Sequence, residues 1–172
     1  MMRIYIPVTL PMLQQLVADG SLRPVNGTAF AVTPKLREAY AEGDEDELGE
    51  VALREAALAS LRLLAGAAED SGQSGAELPP RRAVLVADVG DVTFRPDLDD
   101  AVVRIGAPVT TDDVVAVFVD NAAAEVQVKA AIEVIDEADL GDEDAELTVG
   151  DAQDHDLAWY AVQELPFLLE LL

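Results

Sequence analysis

Residues 82–88 form the stretch that most constrains the fold of this chain. They read Arg-Ala-Val-Leu-Val-Ala-Asp, so five apolar residues follow one another without polar alternation. A strand with this pattern is buried on both of its faces. The stretch therefore predicts an internal strand of a sheet, with other elements packed above and below it.

Two short units in the first half of the chain each combine a strand with a helix. Residues 4–8 predict a strand, after which Thr9 can cap a helix that ends at Gly20. A second strand over 28–33 is followed by Thr33 as the cap and Pro34 in the first helical turn. Such units are typical of βα construction.

The remaining segments complete the predicted architecture. Residues 44–65 predict a long helix, and residues 66–80, which are rich in Gly, Ser and Pro, predict a flexible surface linker. Residues 116–120 predict a second buried strand, residues 147–149 a short strand, and Asp151 the start of a last helix.

We therefore expect one domain over residues 1–172, of the α/β or α+β class. Its sheet is expected to be mixed, with about five or six strands covered by helices.

The charge of the chain limits its partners. Eleven basic and 34 acidic residues give a net charge of −23. Such a field repels nucleic acid phosphates and anionic lipid headgroups, so ordinary nucleic-acid or membrane binding is not expected. Three interpretations remain for the acidic surface, namely solubility, a docking face for a basic protein partner, and mimicry of nucleic acid.

Composition also bears on the compartment and on catalysis. The chain has no cysteine, which excludes disulfides and thiolate sites. No stretch is long and apolar enough to predict a membrane span, and the prolines in the first 13 residues argue against a secretion signal, so we expect a cytoplasmic protein. No serine lies in a Gly-x-Ser-x-Gly elbow, which disfavours nucleophilic catalysis.

Polar residues follow four of the predicted strands and form a candidate ligand site. If these strands are parallel, Thr9, Thr33, Asp88 and Asp120 gather at one edge of the sheet, with Asn121 nearby. Asp88 and Asp120 could then hold a magnesium ion beside a phosphate-bearing ligand. The alternative is structural, since Thr9, Thr33 and Asp120 are each well placed to cap a helix.

The last predicted helix carries a candidate interface. Trp159 and Tyr160, with Glu164 one turn later, can line a protein interface or fill the core. The apolar residues 167–172 can close a homodimer as readily as the chain's own core.

Three segments resemble a known group of proteins: residues 3–7 (Arg-Ile-Tyr-Ile-Pro), residues 30–38 and residues 159–166 (Trp-Tyr-Ala-Val-Gln-Glu-Leu-Pro). The chain resembles, over most of its length, a family of uncharacterised small acidic proteins from high-GC Gram-positive bacteria. The resemblance implies no activity and no site residues.

Two hypotheses for function follow from the residues. The first is a non-catalytic binding or regulatory domain whose acidic surface meets a basic protein partner, without a cofactor. The alternative is a magnesium-dependent enzyme or a protein that binds a nucleotide or phosphate ligand through Asp88 and Asp120. The second hypothesis requires the two carboxylates to converge in one cleft.

Overall fold

The fold is built on an antiparallel sheet. A computed structural model describes residues 1–40, 42–71 and 78–172, with the backbone alone at 69–71. The elements, which short 3-10 turns connect in places, are in chain order β1 (Met2–Val8), α1 (Leu10–Asp19), β2 (Ser21–Leu22), β3 (Thr28–Phe30), α2 (Pro34–Ala39), α3 (Glu45–Ser71), β4 (Ala83–Val89), β5 (Val92–Phe94), β6 (Val102–Ile105), β7 (Val109–Thr110), β8 (Val114–Val119), α4 (Glu125–Asp139), α5 (Glu143–Gln153), β9 (Ala158–Tyr160) and α6 (Leu165–Glu170).

The main sheet has seven strands in the order β5-β6-β3-β1-β4-β8-β9, and β2 and β7 form a separate two-stranded ladder. Every strand pair in the described residues is antiparallel. The prediction of an α/β or α+β domain is confirmed, but the mixed sheet of about five or six strands was wrong. A strand followed by a helix is compatible with either strand direction, because the helix can return the chain to either end of the sheet.

The internal strand predicted at residues 82–88 is confirmed as β4, which lies between β1 and β8. Ala83, Leu85 and Ala87 belong to the core on one face of the sheet, whereas Val84 and Val86 belong to the core on the other. All five side chains are buried, as the absence of polar alternation predicted.

Helices cover both faces of the sheet. Leucines of α1 and α6 pack in the first core, and α2 and α3 supply Leu36, Leu48, Ala52 and Ala56 to the second. A third cluster joins α4 and α5 to α3 around Leu61. The two polar caps predicted in the first half are confirmed, since Thr9 and Thr33 accept hydrogen bonds from the backbone N–H groups of Met12 and Leu36 at 3.4 and 3.1 Å.

Three local predictions were wrong. The linker predicted over 66–80 was wrong for residues 66–71, which form the end of α3, and residues 72–77 lie outside the described residues. The strand predicted over 147–149 is part of α5, whose buried residues Ala145, Val149 and Ala152 follow helical spacing. The helix predicted from Asp151 ends two residues later at Gln153.

The segment that carries Trp159 and Tyr160 is a strand. β9 pairs with β8, with Trp159 opposite Phe118 and Tyr160 opposite Val117. This pairing depends on a strand about 40 residues earlier in sequence, so local periodicity does not reveal it. No helix in the described part of the chain is long and apolar enough to cross a membrane.

Candidate functional site

Asp120 follows β8 and forms a buried ion pair with Arg82, the residue before β4. Oδ2 of Asp120 accepts hydrogen bonds from Arg82 Nε at 2.8 Å and from the Arg82 backbone N–H at 2.9 Å, and Oδ1 accepts from Nη2 at 2.7 Å. Asp120 is 0% exposed and Arg82 is 1% exposed. A pair closed to solvent in this way has no access for a substrate, so its role is structural.

The same guanidinium fixes the approach to β9. Arg82 Nη1 donates to Gln153 Oε1 at 2.8 Å, and Nη2 donates to the backbone carbonyl of His155 at 2.9 Å. His155 Nε2 also lies 3.2 Å from Gln127 Oε1. Arg82 therefore connects the sheet to the segment between α5 and β9. Arg82 was not singled out from the sequence. The signal that could have identified it is a positively charged residue directly before a strand that is buried on both faces.

Asp88 lies at the opposite end of β4. It pairs with Arg3 of β1, whose Nε and Nη2 donate to the Asp88 carboxylate at 3.0 and 3.2 Å. These hydrogen bonds from the guanidinium hold the pKa of Asp88 below its usual value. Both side chains are partly exposed, 55% for Arg3 and 34% for Asp88.

The predicted gathering of Asp88 and Asp120 at one edge was wrong. β4 is antiparallel to β8, so the end of β8 lies beside the start of β4. The six residue steps from Arg82 to Asp88 span about 20 Å of strand, which places the two carboxylates at opposite ends of the sheet. A cleft shared by the two carboxylates does not form.

The other predicted ligand residues divide between the same two ends. Thr9 and Asn121 lie at the Asp120 end, where Asn121 Oδ1 caps a 3-10 turn by accepting from the Ala123 N–H at 3.1 Å. Thr33 lies at the Asp88 end, because β3 is antiparallel to β1. Its hydroxyl caps α2 and also donates to the Asp100 carbonyl. These three residues are all used as caps.

The described residues contain no group of three His, Cys, Asp or Glu side chains placed to hold a metal ion. Asp88 has Arg3 as its charge partner and Asp120 has Arg82, so each carboxylate is already neutralised by a guanidinium. The magnesium hypothesis thus loses the convergence of Asp88 and Asp120 that it required, and the expectation of a protein without a cofactor stays a prediction.

Two cavities lie near the Asp88 end of the sheet. The larger has a volume of about 450 Å³ and is lined by charged side chains of β1, β4, α2 and the start of α3, together with Tyr5. The smaller, of about 180 Å³, lies between α2 and the turn after β5, and Thr33, Phe94 and Val102 contribute to its largely apolar wall. The larger cavity is of a size that accommodates small molecules.

The interface residues predicted near the C-terminus lie on or beside the edge strand β9. Trp159 is 58% exposed, while Tyr160 is partly buried and packs against the first core. Glu164 is exposed, and its Oε1 accepts a hydrogen bond from the Ala161 N–H at 2.9 Å, which fixes the turn into α6. The three residues are thus brought to one edge of the sheet, although by a strand rather than by the predicted helix.

Comparison with known proteins identifies a family for this chain but no activity. A model of a family of unknown function (DUF6912) matches residues 2–169. The chain belongs to this family. The resemblance to an uncharacterised family is thereby confirmed, whereas the bacterial origin stays a prediction. The comparison with curated proteins and that with solved structures gave no match.

Proposed function

We propose that this protein is a cytoplasmic, non-catalytic binding domain that takes up an extended, basic segment of a partner protein along β9. The observation that carries the proposal is an edge strand with an exposed tryptophan, set in a region of the chain that has acidic residues and no basic ones. Three features of this edge support it.

The first feature is the free edge of the sheet. β9 is the last strand in the sheet order and pairs with β8 on one side only. In the described part of the chain no strand pairs with its outer side. The backbone N–H and C=O groups that point away from β8 can therefore accept an added strand, a common mode of peptide recognition.

The second feature is Trp159. It lies directly opposite Phe118 on β8, and directly opposite residues of an antiparallel pair point to the same face. Phe118 is partly buried against the second core, whereas Trp159 is 58% exposed. Exposed tryptophans beside packed apolar residues are frequent energetic centres of interfaces, because they bury a large area at low entropic cost.

The third feature is the charge of the part of the chain that contains β9. Beyond Lys129 the chain has no lysine or arginine, but it has thirteen acidic residues, all of them exposed: Glu133, Asp136, Glu137, Asp139, Asp142, Glu143, Asp144, Glu146, Asp151, Asp154, Asp156, Glu164 and Glu170. Such a field attracts a cationic segment and accelerates its association. A second copy of this chain would bring another net charge of −23 and be repelled.

Trp159 is the single tryptophan, so its fluorescence reports on this edge directly. The protein is titrated with a peptide of alternating lysine and valine, and with a control peptide of alternating lysine and glycine. The valine peptide has the same charge but a higher strand propensity. We expect a saturable blue shift with the valine peptide, weakened by salt, and at least about tenfold weaker binding of the glycine peptide.

Variants locate the binding surface. Trp159→Ala should weaken binding of a labelled valine peptide by roughly tenfold or more. Phe167→Ala is the matched control, since Phe167 is 69% exposed but lies on α6 rather than on β9. Equal binding of both peptides would mean that the acidic surface attracts any polycation, and equal losses in the two variants would exclude β9 as the docking edge. Sedimentation without peptide tests the homodimer separately.

A further inference from the structure

A second candidate binding site, independent of β9, is the 450 Å³ cleft near the Asp88 end of the sheet. The polar part of its wall combines two guanidiniums, three carboxylates and a phenol, which come from four elements: Arg3, Tyr5, Arg37, Glu45, Asp46 and Asp88. Met1, Met2 and Val32 complete the lining. Two of the eleven basic residues of a strongly acidic chain therefore lie in one cavity.

Both arginines in the cleft are held by exchangeable ion pairs. Arg3 pairs with Asp88, and Arg37 pairs with Glu45 at the start of α3. At least half of each arginine side chain is exposed, so these pairs contribute little to folding, about 0–1 kcal/mol each. A ligand with a charged group of the same sign can therefore replace a carboxylate or a guanidinium of these pairs at a small cost in free energy.

Tyr5 supplies a neutral polar group to the same cleft. Its hydroxyl has no hydrogen-bond partner among the described residues, and partial burial raises the pKa of the phenol, so the hydroxyl keeps its proton at neutral pH. The hydroxyl lies against Gly49 of α3, where an added Cβ would come within 2.9 Å of it. A glycine inside a helix costs about 1 kcal/mol relative to alanine, and here it makes room for the phenol.

We propose that this cleft binds a zwitterionic small molecule of the α-amino-acid type. Its carboxylate would replace either Glu45 or Asp88 beside its arginine and accept a hydrogen bond from the Tyr5 hydroxyl. Its ammonium group would then pair with the released carboxylate and with Asp46. Guanidinium groups suit carboxylates through paired hydrogen bonds.

Charge balance favours a zwitterion over a simple ion. A zwitterion exchanges one internal ion pair for two pairs with the ligand and adds no net charge. An anion would enter a protein of net charge −23 against its field. A cation that paired with Glu45 or Asp88 would leave an arginine without its carboxylate partner, and Asp46 alone offers a cation a single charge.

The test is a thermal and calorimetric screen of the full chain with the twenty amino acids at constant ionic strength. We expect at least one of them to raise the melting temperature saturably, as linkage requires of a specific site. Its N-acetylated and its decarboxylated analogues should bind at least about tenfold more weakly, because each lacks one of the two charges.

Arg37→Gln and Tyr5→Phe should each weaken binding of that amino acid, Arg37→Gln by roughly tenfold. Arg95→Gln is the matched control, because Arg95 forms a similar exposed pair with Asp97 away from the cleft. The proposal is overturned if no amino acid binds at 10 mM, roughly the weakest affinity relevant to a small ligand. It is also overturned if either analogue binds as well as the parent, or if Arg37→Gln and Arg95→Gln behave alike.

Discussion

The buried pair of Arg82 and Asp120 gives the sharpest test of how the sheet is held together. Asp120→Asn keeps the size of the side chain but removes its charge. In the folded protein the Asp120 carboxylate accepts three hydrogen bonds from Arg82 within 2.9 Å. An amide has one acceptor oxygen, and its NH₂ group would face a guanidinium that can only donate.

The expected loss of stability is large because Arg82 would keep its charge in a buried position. Removing one partner of a buried pair costs about 3–5 kcal/mol. For a chain of this size, that corresponds to a melting temperature lower by roughly 6–20 °C. Arg62→Gln is the control, since Arg62 pairs with Asp139 at 2.9 Å but both side chains are nearly half exposed, and its loss should cost about 0–1 kcal/mol.

Urea unfolding of the three proteins measures the difference, provided that the slope of the transition is unchanged. If Asp120→Asn costs no more than Arg62→Gln, the buried pair does not hold the sheet to the segment before β9. The replacement of both Arg82 and Asp120 by apolar residues should recover part of the loss, because no charge is then left unpaired.

Three further predictions concern single contacts. Gly49→Ala should destabilise the protein despite the better helix propensity of alanine, because the added Cβ would approach the Tyr5 hydroxyl to 2.9 Å. In a double-mutant cycle followed by urea unfolding, Tyr5→Phe should relieve this loss of stability. Ser60→Ala should lower the free energy of unfolding by about 1–3 kcal/mol in the same assay. The buried Ser60 hydroxyl accepts a hydrogen bond from one strand N–H at 3.0 Å and donates one to a strand carbonyl at 2.7 Å. An unchanged midpoint would show that water or a shift of the backbone replaces these hydrogen bonds. Arg3 lowers the pKa of Asp88 below the unfolded value of 3.8. The pair therefore stabilises the folded protein at any pH above 3.8, and this stabilisation is lost as the pH falls through the folded pKa of Asp88. Asp88→Asn should therefore cost up to about 1 kcal/mol at pH 6 and less at pH 3, and a difference that does not shrink on acidification would contradict the assignment.

Local signals sufficed for several parts of the fold. The unbroken apolar run of β4, the Thr9 and Thr33 caps and the long helix α3 follow from short-range rules, because a cap or a helical face is decided by residues three or four positions apart. The same rules placed Trp159 and Tyr160 in a regular element but predicted a helix where the structure has a strand. Their strand forms only because β8 supplies the hydrogen-bond partners.

The candidate sites were harder to predict than the elements. The sequence marked Asp88, Asp120, Trp159 and Glu164 as residues of interest, but not what each one faces. It did not indicate that Arg82 would neutralise Asp120, or that Arg3 and Arg37 would meet in a cleft, since these contacts join segments far apart in the chain.

Composition and the local periodicity of residues were enough to predict the class of the fold, the doubly buried strand and the strongly acidic charge. The direction of the strands became visible only in the folded sheet, and with it the separation of Asp88 from Asp120 and the exposure of β9. Strand pairing is set by long-range hydrogen bonds and by which end of the sheet each connection reaches, and neither is encoded in a local pattern.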